Sequence, residues 1–299
     1  MSPQKKIALF LALTFVFSTF SYVPILITGS LYSMGGLFML TLMWSPGIAG
    51  MVTQFLATRS LRGLGWRLGS NRWLGLAYIL PVLYGLPVYF FAWLTGLGGL
   101  RIPEEAIALT ERFRWISPIV GMGIFCFFSA TVMVLVSLVT ALGEEIGWRG
   151  LFVPELAKVA SFTTAALISG LVWTAWHMPA LFLADYGGSG PPAWYSVTFF
   201  AIMVISTSFA YAWLRLRSGS LWPAALLHAS HNLFIMHVFD AMTVETDLTA
   251  FITGELGLGL ALAGMTAAYL FWRKRETLQP IHERSGTTRS TEIGSNFVS

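Results

Sequence analysis

Apolar runs of membrane-crossing length follow one another along this chain, separated by short stretches of glycine, proline and charge. A helix that spans the ~30 Å hydrocarbon layer needs about 20 apolar residues. Eight segments meet that length approximately: 7–29, 36–58, 74–96, 115–142, 161–183, 194–214, 219–239 and 250–272. The gaps at 59–73 and 187–192 hold the residues that make helix costly. The pattern therefore predicts an all-α polytopic membrane protein of about eight transmembrane helices. It forms one domain over residues 1–275, and the polar tail at 276–299 is expected to be disordered. The first run follows a basic start, like a signal peptide, but it is too long for one and has no small-residue cleavage site, so an uncleaved span is expected.

Composition agrees with this reading. Hydrophobic residues make up 56% of the 299 and charged residues only 11%, where a soluble domain carries about 25% charged. The net charge of +4 does not point to nucleic acid, because the cations sit in short inter-span loops, where they set membrane orientation. With the N-terminus inside, 15 of the 18 Lys and Arg residues fall on the inner side, leaving Arg101, Arg112 and Arg114 outside. Both termini are thus expected in the cytoplasm, with a bacterial inner membrane as the location. The segment 97–114 mixes apolar and charged residues and is expected to lie along the outer interface. Cys126, alone in an apolar run, can form no internal disulfide and reads as a packing residue.

Ionisable groups at membrane depth cost several kcal/mol, roughly +2.5 to +3.5 on insertion scales, unless they pair or do chemistry. Three apolar runs carry them. Glu144, Glu145 and Arg149 lie where the fourth run ends. Glu145 and Arg149, four apart, can pair on one face, while Glu144 is turned about 100° away and is free to act as a general base. A salt bridge beside a solvated acid is the plainer alternative. Trp173 and His177 share a face of the fifth run, where a lone histidine also serves as a helix-to-helix hydrogen bonder. In the seventh run, His228 and Asn232 stack one turn apart as two hydrogen-bond donors suited to a developing oxyanion, or as a polar seam between helices. Counting rise along the spans puts His177 deeper than Glu144 and His228. No His-Glu-x-x-His is present, and no pair of intramembrane aspartates. Gly187-Gly188-Ser189-Gly190 matches the short rhomboid-type pattern, but it sits in an outer loop before Pro191 and Pro192 and reads as chance.

Taken together, these motifs resemble the CAAX protease and bacteriocin-processing (CPBP, or Abi) family of intramembrane proteases, which includes the type II CAAX prenyl endopeptidases. The family pattern Glu-Glu-x-x-x-Arg, aromatic-x-x-x-His and His-x-x-x-Asn falls on Glu144, Glu145 and Arg149, on Trp173 and His177, and on His228 and Asn232. The match is close over 142–234, with Trp173 standing where phenylalanine is commoner. The resemblance implies an endopeptidase with a cytoplasm-facing polar cavity. Glu144 would activate water, His177 would orient it, and His228 with Asn232 would stabilise the oxyanion. Its partners would be a membrane-anchored peptide or lipidated protein substrate, such as a prenylated CAAX-type or leader peptide, and the bilayer. Members are often called metalloproteases, and Glu144, His177 and His228 could in principle hold a divalent metal such as zinc. The residues favour a metal-free site with no required cofactor, since no acid is evident to orient a ligating histidine. A non-catalytic immunity-type binding protein or a small-solute transporter is the rival reading.

Overall fold

The computed structural model describes residues 1–184, 186 and 190–278. Asp185, Gly187 to Ser189 and nearly all of the expected disordered tail lie outside the described residues, as do Arg284 and Arg289. The described chain is helical throughout: α1 (Pro3–Thr28), α2 (Leu37–Thr58), α3 (Asn71–Thr95), α4 (Glu104–Arg112), α5 (Pro118–Leu156), α6 (Phe162–Leu183) and α7 (Ala193–Ser218). Next come α8 (Trp222–His231), prolonged by a π-helical segment Asn232–Phe239, then the short α9 (Thr249–Ile252) and α10 (Leu258–Arg273). Among the described residues there is no strand; a single antiparallel bridge joins Leu100 to Thr243.

Six helices, α1, α2 with its preceding turn, α3, α5, α6 and α7, are long and apolar enough to cross a membrane. The protein is an integral membrane protein, and its all-α polytopic class is as the hydrophobic pattern predicts. The last two expected spans differ from that pattern. Run 219–239 becomes part α-helix and part π-helix. Run 250–272 is broken in its first third, because Gly254 adopts a left-handed φ of 69° between α9 and α10, leaving α10 with 16 residues. The stretch 97–114 contains the amphipathic α4, which begins with Glu104 and Glu105, ends with Arg112, and packs on α5.

α5 is a 39-residue rod, near 58 Å at about 1.5 Å per residue and so longer than the bilayer core. Its course is interrupted by two wide π turns, Ser129–Met133 and Ile146–Phe152. Helices in lipid gain little from apolar burial against one another, so close approach depends on small residues. Gly47 and Gly50 of α2 meet Gly143 and Gly147 of α5 in this way. A β-carbon at Gly47 would lie 2.3 Å from the Gly143 carbonyl oxygen, and one at Gly147 would lie 2.4 Å from that of Pro46. These four glycines bracket Glu144 and Glu145, so the tightest helix crossing fixes the rod where its carboxylates sit. At one face of the bundle, Lys6 of α1 donates to Glu155 of α5 at 3.0 Å and to Gln54 of α2 at 3.3 Å.

Gly47→Ala should force α2 and α5 apart and lower stability by about 1–3 kcal/mol, the usual cost of overpacking. Gly123→Ala, where an added β-carbon meets nothing within 4 Å, should be close to neutral. Thermal unfolding of both variants in detergent measures the difference; equal melting temperatures would contradict the assigned crossing.

Candidate active site

The helix does not stop at the paired glutamates. α5 continues through them into the π turn Ile146–Phe152, and the two carboxylates diverge as successive helical positions must. Glu145 turns inward among side chains. Its Oε1 accepts from Arg149 Nη1 at 2.7 Å and from His228 Nδ1 at 3.0 Å, and both partners in the ion pair are fully buried. The Arg149 guanidinium lies between two aromatic faces, 4.1 Å from the Trp173 ring and 4.2 Å from that of Tyr211, which offers a desolvated cation a favourable quadrupole on each side. Arg215 donates from Nε to the Arg149 carbonyl at 2.6 Å.

Glu144 faces the other way, into a cavity of about 710 Å³ that Trp173, His177, His228 and Asn232 also line. Its Oε2 accepts from the Trp173 indole N–H at 2.7 Å. Trp173 therefore does more than form a wall: phenylalanine at this position could not supply that donor. Its ring also lies 5.8 Å from the His177 ring and 5.4 Å from the His228 ring, edge-on to each. Trp173, one helical turn before His177 on the same helix, is the residue that bonds Glu144. The indole bridges that turn.

Hydrogen bonding fixes how each histidine is presented. A carbonyl oxygen can only accept, so His177 Nδ1 donates to the Trp173 carbonyl at 2.8 Å and its Nε2 is left as an acceptor. His228 is held at Nδ1 by the Glu145 carboxylate, leaving its Nε2 on the cavity side. An acid that orients a histidine is thus present, contrary to the expectation that none exists. Spacing within one helix revealed the Glu145–Arg149 pair but could not reveal a contact made across 83 residues. Asn232 follows where α8 widens into its π segment.

Several polar cavity residues escaped the motif reading. His231 pairs through Nε2 with Glu255 Oε1 at 2.8 Å and through Nδ1 with the Tyr84 hydroxyl. Tyr186 donates to Glu255 Oε2 at 2.5 Å and stacks on His177 with 24° between the rings. Glu255 was visible as a carboxylate inside the apolar run 250–272, the same kind of signal that marked Glu144. Beyond the π segment, Asp240 accepts from Tyr89 at 2.5 Å, and burial pushes its carboxyl up to about 6.

Among the described residues, no three His, Cys, Asp or Glu side chains gather as a metal-binding group. Glu144, His177 and His228 do not close up as a zinc site would require, and their nearest hydrogen-bond partners are the indole, a carbonyl and a second carboxylate.

The cavity also bears on orientation. Its lining runs from Glu144, Tyr211 and His228 to Tyr32, Arg101 and Glu245. These last residues belong to the loops opposite the face that carries Lys5, Lys6 and Arg59 to Arg72. The far end of the cavity lining and the N-terminus thus lie at opposite faces of the bundle.

Residues 126–234 match the family described as type II CAAX prenyl endopeptidase Rce1-like. The chain is also 30% identical over 157 residues to CAAX prenyl protease 2 of Methanococcus maripaludis, a region that is 51% of this chain and 56% of that protein. The chain thus spans about half the length of the curated relative it matches. The resemblance drawn from the motifs is borne out, and Glu144, Glu145, Arg149, Trp173, His177, His228 and Asn232 all lie inside the matched segment.

Removing Glu145 alone should be severe, because a buried Arg149 without its counter-ion costs about 3–5 kcal/mol. Glu145→Leu combined with Arg149→Met should recover a substantial part of that loss. A double-mutant cycle of denaturation in detergent reads the coupling, and strictly additive losses would contradict the pairing.

Proposed function

From a chain whose residues 126–234 match the type II CAAX prenyl endopeptidases, we propose an intramembrane endopeptidase in which Glu144 activates water without a metal ion. The observation that carries this reading is the setting of Glu144. It is a nearly buried carboxylate on the wall of a polar-floored cavity, held by one indole N–H and faced by two histidines and an asparagine. The oxygen not engaged by Trp173 can take a proton from water while that water attacks the scissile carbonyl. His177 Nε2, an acceptor by virtue of its Nδ1 bond, accepts the water's second hydrogen and orients it. Attack converts the carbonyl oxygen to an oxyanion. His228, held at Nδ1 by Glu145 and acting in the form that carries a proton on Nε2, and the Asn232 carboxamide donate to it. Glu144 then passes its proton to the leaving amine as the C–N bond breaks.

The cavity is within the ~300–1,000 Å³ range of small-ligand sites, so it takes a short extended stretch of chain and not a folded domain. The substrate class is a membrane-associated peptide. A prenylated CAAX-type peptide and a leader peptide both have that form.

Glu144→Gln preserves size and the Trp173 hydrogen bond but removes the base. It should cut kcat by about 10²–10⁴-fold, the usual worth of general acid–base catalysis, with melting temperature and detergent solubility unchanged. Purified protein reconstituted with a peptide substrate tests this, and full activity in the variant would reject the role. Trp173→Phe should fall between wild type and Glu144→Gln in the same assay. Treatment with a strong chelator should leave wild-type turnover intact; loss of activity restored by added zinc would replace the water-only mechanism with a metal-assisted one. A binding protein or transporter would instead keep its function in Glu144→Gln.

A further inference from the structure

Two features of the fold, taken together, say from which side a substrate reaches Glu144. The first is where the cavity closes. Beneath Glu144, on the side of the Lys6–Glu155 contact, the π turn of α5 buries Trp148, Arg149 and Phe152 completely. Below these, Leu64 and Gly65, of the turn between α2 and α3, pack against Gly150 and Arg215, and Leu221 is fully buried there as well. The cavity has no lining residue from that turn or from the start of α1. In the other direction its lining extends past Leu42 and Met203 to Tyr32, Arg101 and Glu245, which belong to the opposite loops and are exposed.

The second feature is the charge of the two faces. The closed face carries Lys5 and Lys6, Arg59 to Arg72, Lys158, Arg215 and Arg217, and Arg273 to Arg275. Its only described acids are Glu155 and Glu276. The face at the cavity mouth has Arg101, Arg112 and Arg114 among Glu104, Glu105, Glu111, Asp240, Glu245, Asp247 and Glu255. Lys and Arg in short loops mark the cytoplasmic side, and this asymmetry is large for loops of such length.

We infer that the cavity opens away from the cytoplasm, and that the substrate is a polypeptide segment already translocated across the membrane, such as the leader or anchor region of an exported precursor, not the C-terminus of a cytosolic protein. The inference rests on the peptidase reading of the site, yet it concerns the side of access and not the chemistry. The lining suits such a substrate. Leu42, Met43, Phe200, Met203 and Met236 offer an apolar wall to the membrane-embedded part of an exported segment, and the polar floor waits at Glu144. A segment retained on the basic face would meet the buried plug of Trp148, Arg149 and Phe152.

The test is cysteine accessibility in the full-length protein, expressed in a bacterial inner membrane with Cys126→Ser as background. Tyr32→Cys reports the mouth, Thr140→Cys the depth of the cavity, and Arg67→Cys the basic face. A small, charged, membrane-impermeant maleimide is applied to spheroplasts before and after permeabilisation. The expected result is at least tenfold stronger labelling of Tyr32→Cys than of Arg67→Cys before permeabilisation, with Thr140→Cys labelled from the same side as Tyr32→Cys. Labelling of Tyr32→Cys only after permeabilisation would overturn the inference, as would labelling of Thr140→Cys only from the side of Arg67→Cys. Retained proteolysis in Glu144→Gln would sink the peptidase mechanism while leaving these labelling patterns as they are, so the two failures are separable.

Discussion

A guanidinium with no exposed surface, inside a bundle of apolar helices, must be neutralised or the helix that carries it will not insert as described. Arg149 is that group, and Glu145 is its counter-ion. Meeting this electrostatic demand organises the neighbourhood. The guanidinium selects the faces of Trp173 and Tyr211 on either side, so α6 and α7 are clamped to α5. The carboxylate that balances it also accepts from His228, so α8 is drawn to the same point. An isolated buried ion pair is weak support for stability. Here it acts as a registration device, setting four helices at one depth.

The adjacent position inherits a different environment from the same geometry. One residue along a helix is a rotation of about 100°, which is enough to take Glu144 out of the ion-pair network and into the cavity. Two identical side chains in sequence thus acquire opposite parts, one bound through Oε1 to Arg149 and His228 and the other held by a single neutral donor. The π turn that follows assists this separation. It widens the rod just beyond the pair, and such turns recur where a helix must present a side chain out of its regular series.

Most of the architecture could be read from hydrophobic periods alone, because a spanning helix leaves a signal about as long as the bilayer is thick. The exceptions are instructive. The run at 250–272 was continuous in hydropathy, yet Gly254 and Gly257 allow a break that sends Glu255 toward His231 and Tyr186. Mean apolarity does not register a turn made of glycine and threonine. Local spacing disclosed the Glu145–Arg149 pair and the shared face of His228 and Asn232, since these are properties of one helix. The Trp173–Glu144 and Glu145–His228 bonds were illegible because they depend on how separate helices are rotated against each other. That rotation is set by contacts such as Gly47 on Gly143, which spacing within a helix does not encode. Cavity direction needed both kinds of information: charge along the chain and the place where side chains leave space.

The sealed floor carries a kinetic consequence. A chamber closed below by Trp148, Arg149 and Phe152 is a cul-de-sac, so both halves of a cut chain must back out along the path by which the intact one arrived. A half still rooted in lipid would retreat by that path more slowly than a water-soluble half. For the proposed peptidase, release of the greasier fragment is then the step that the composition of the surrounding bilayer would influence.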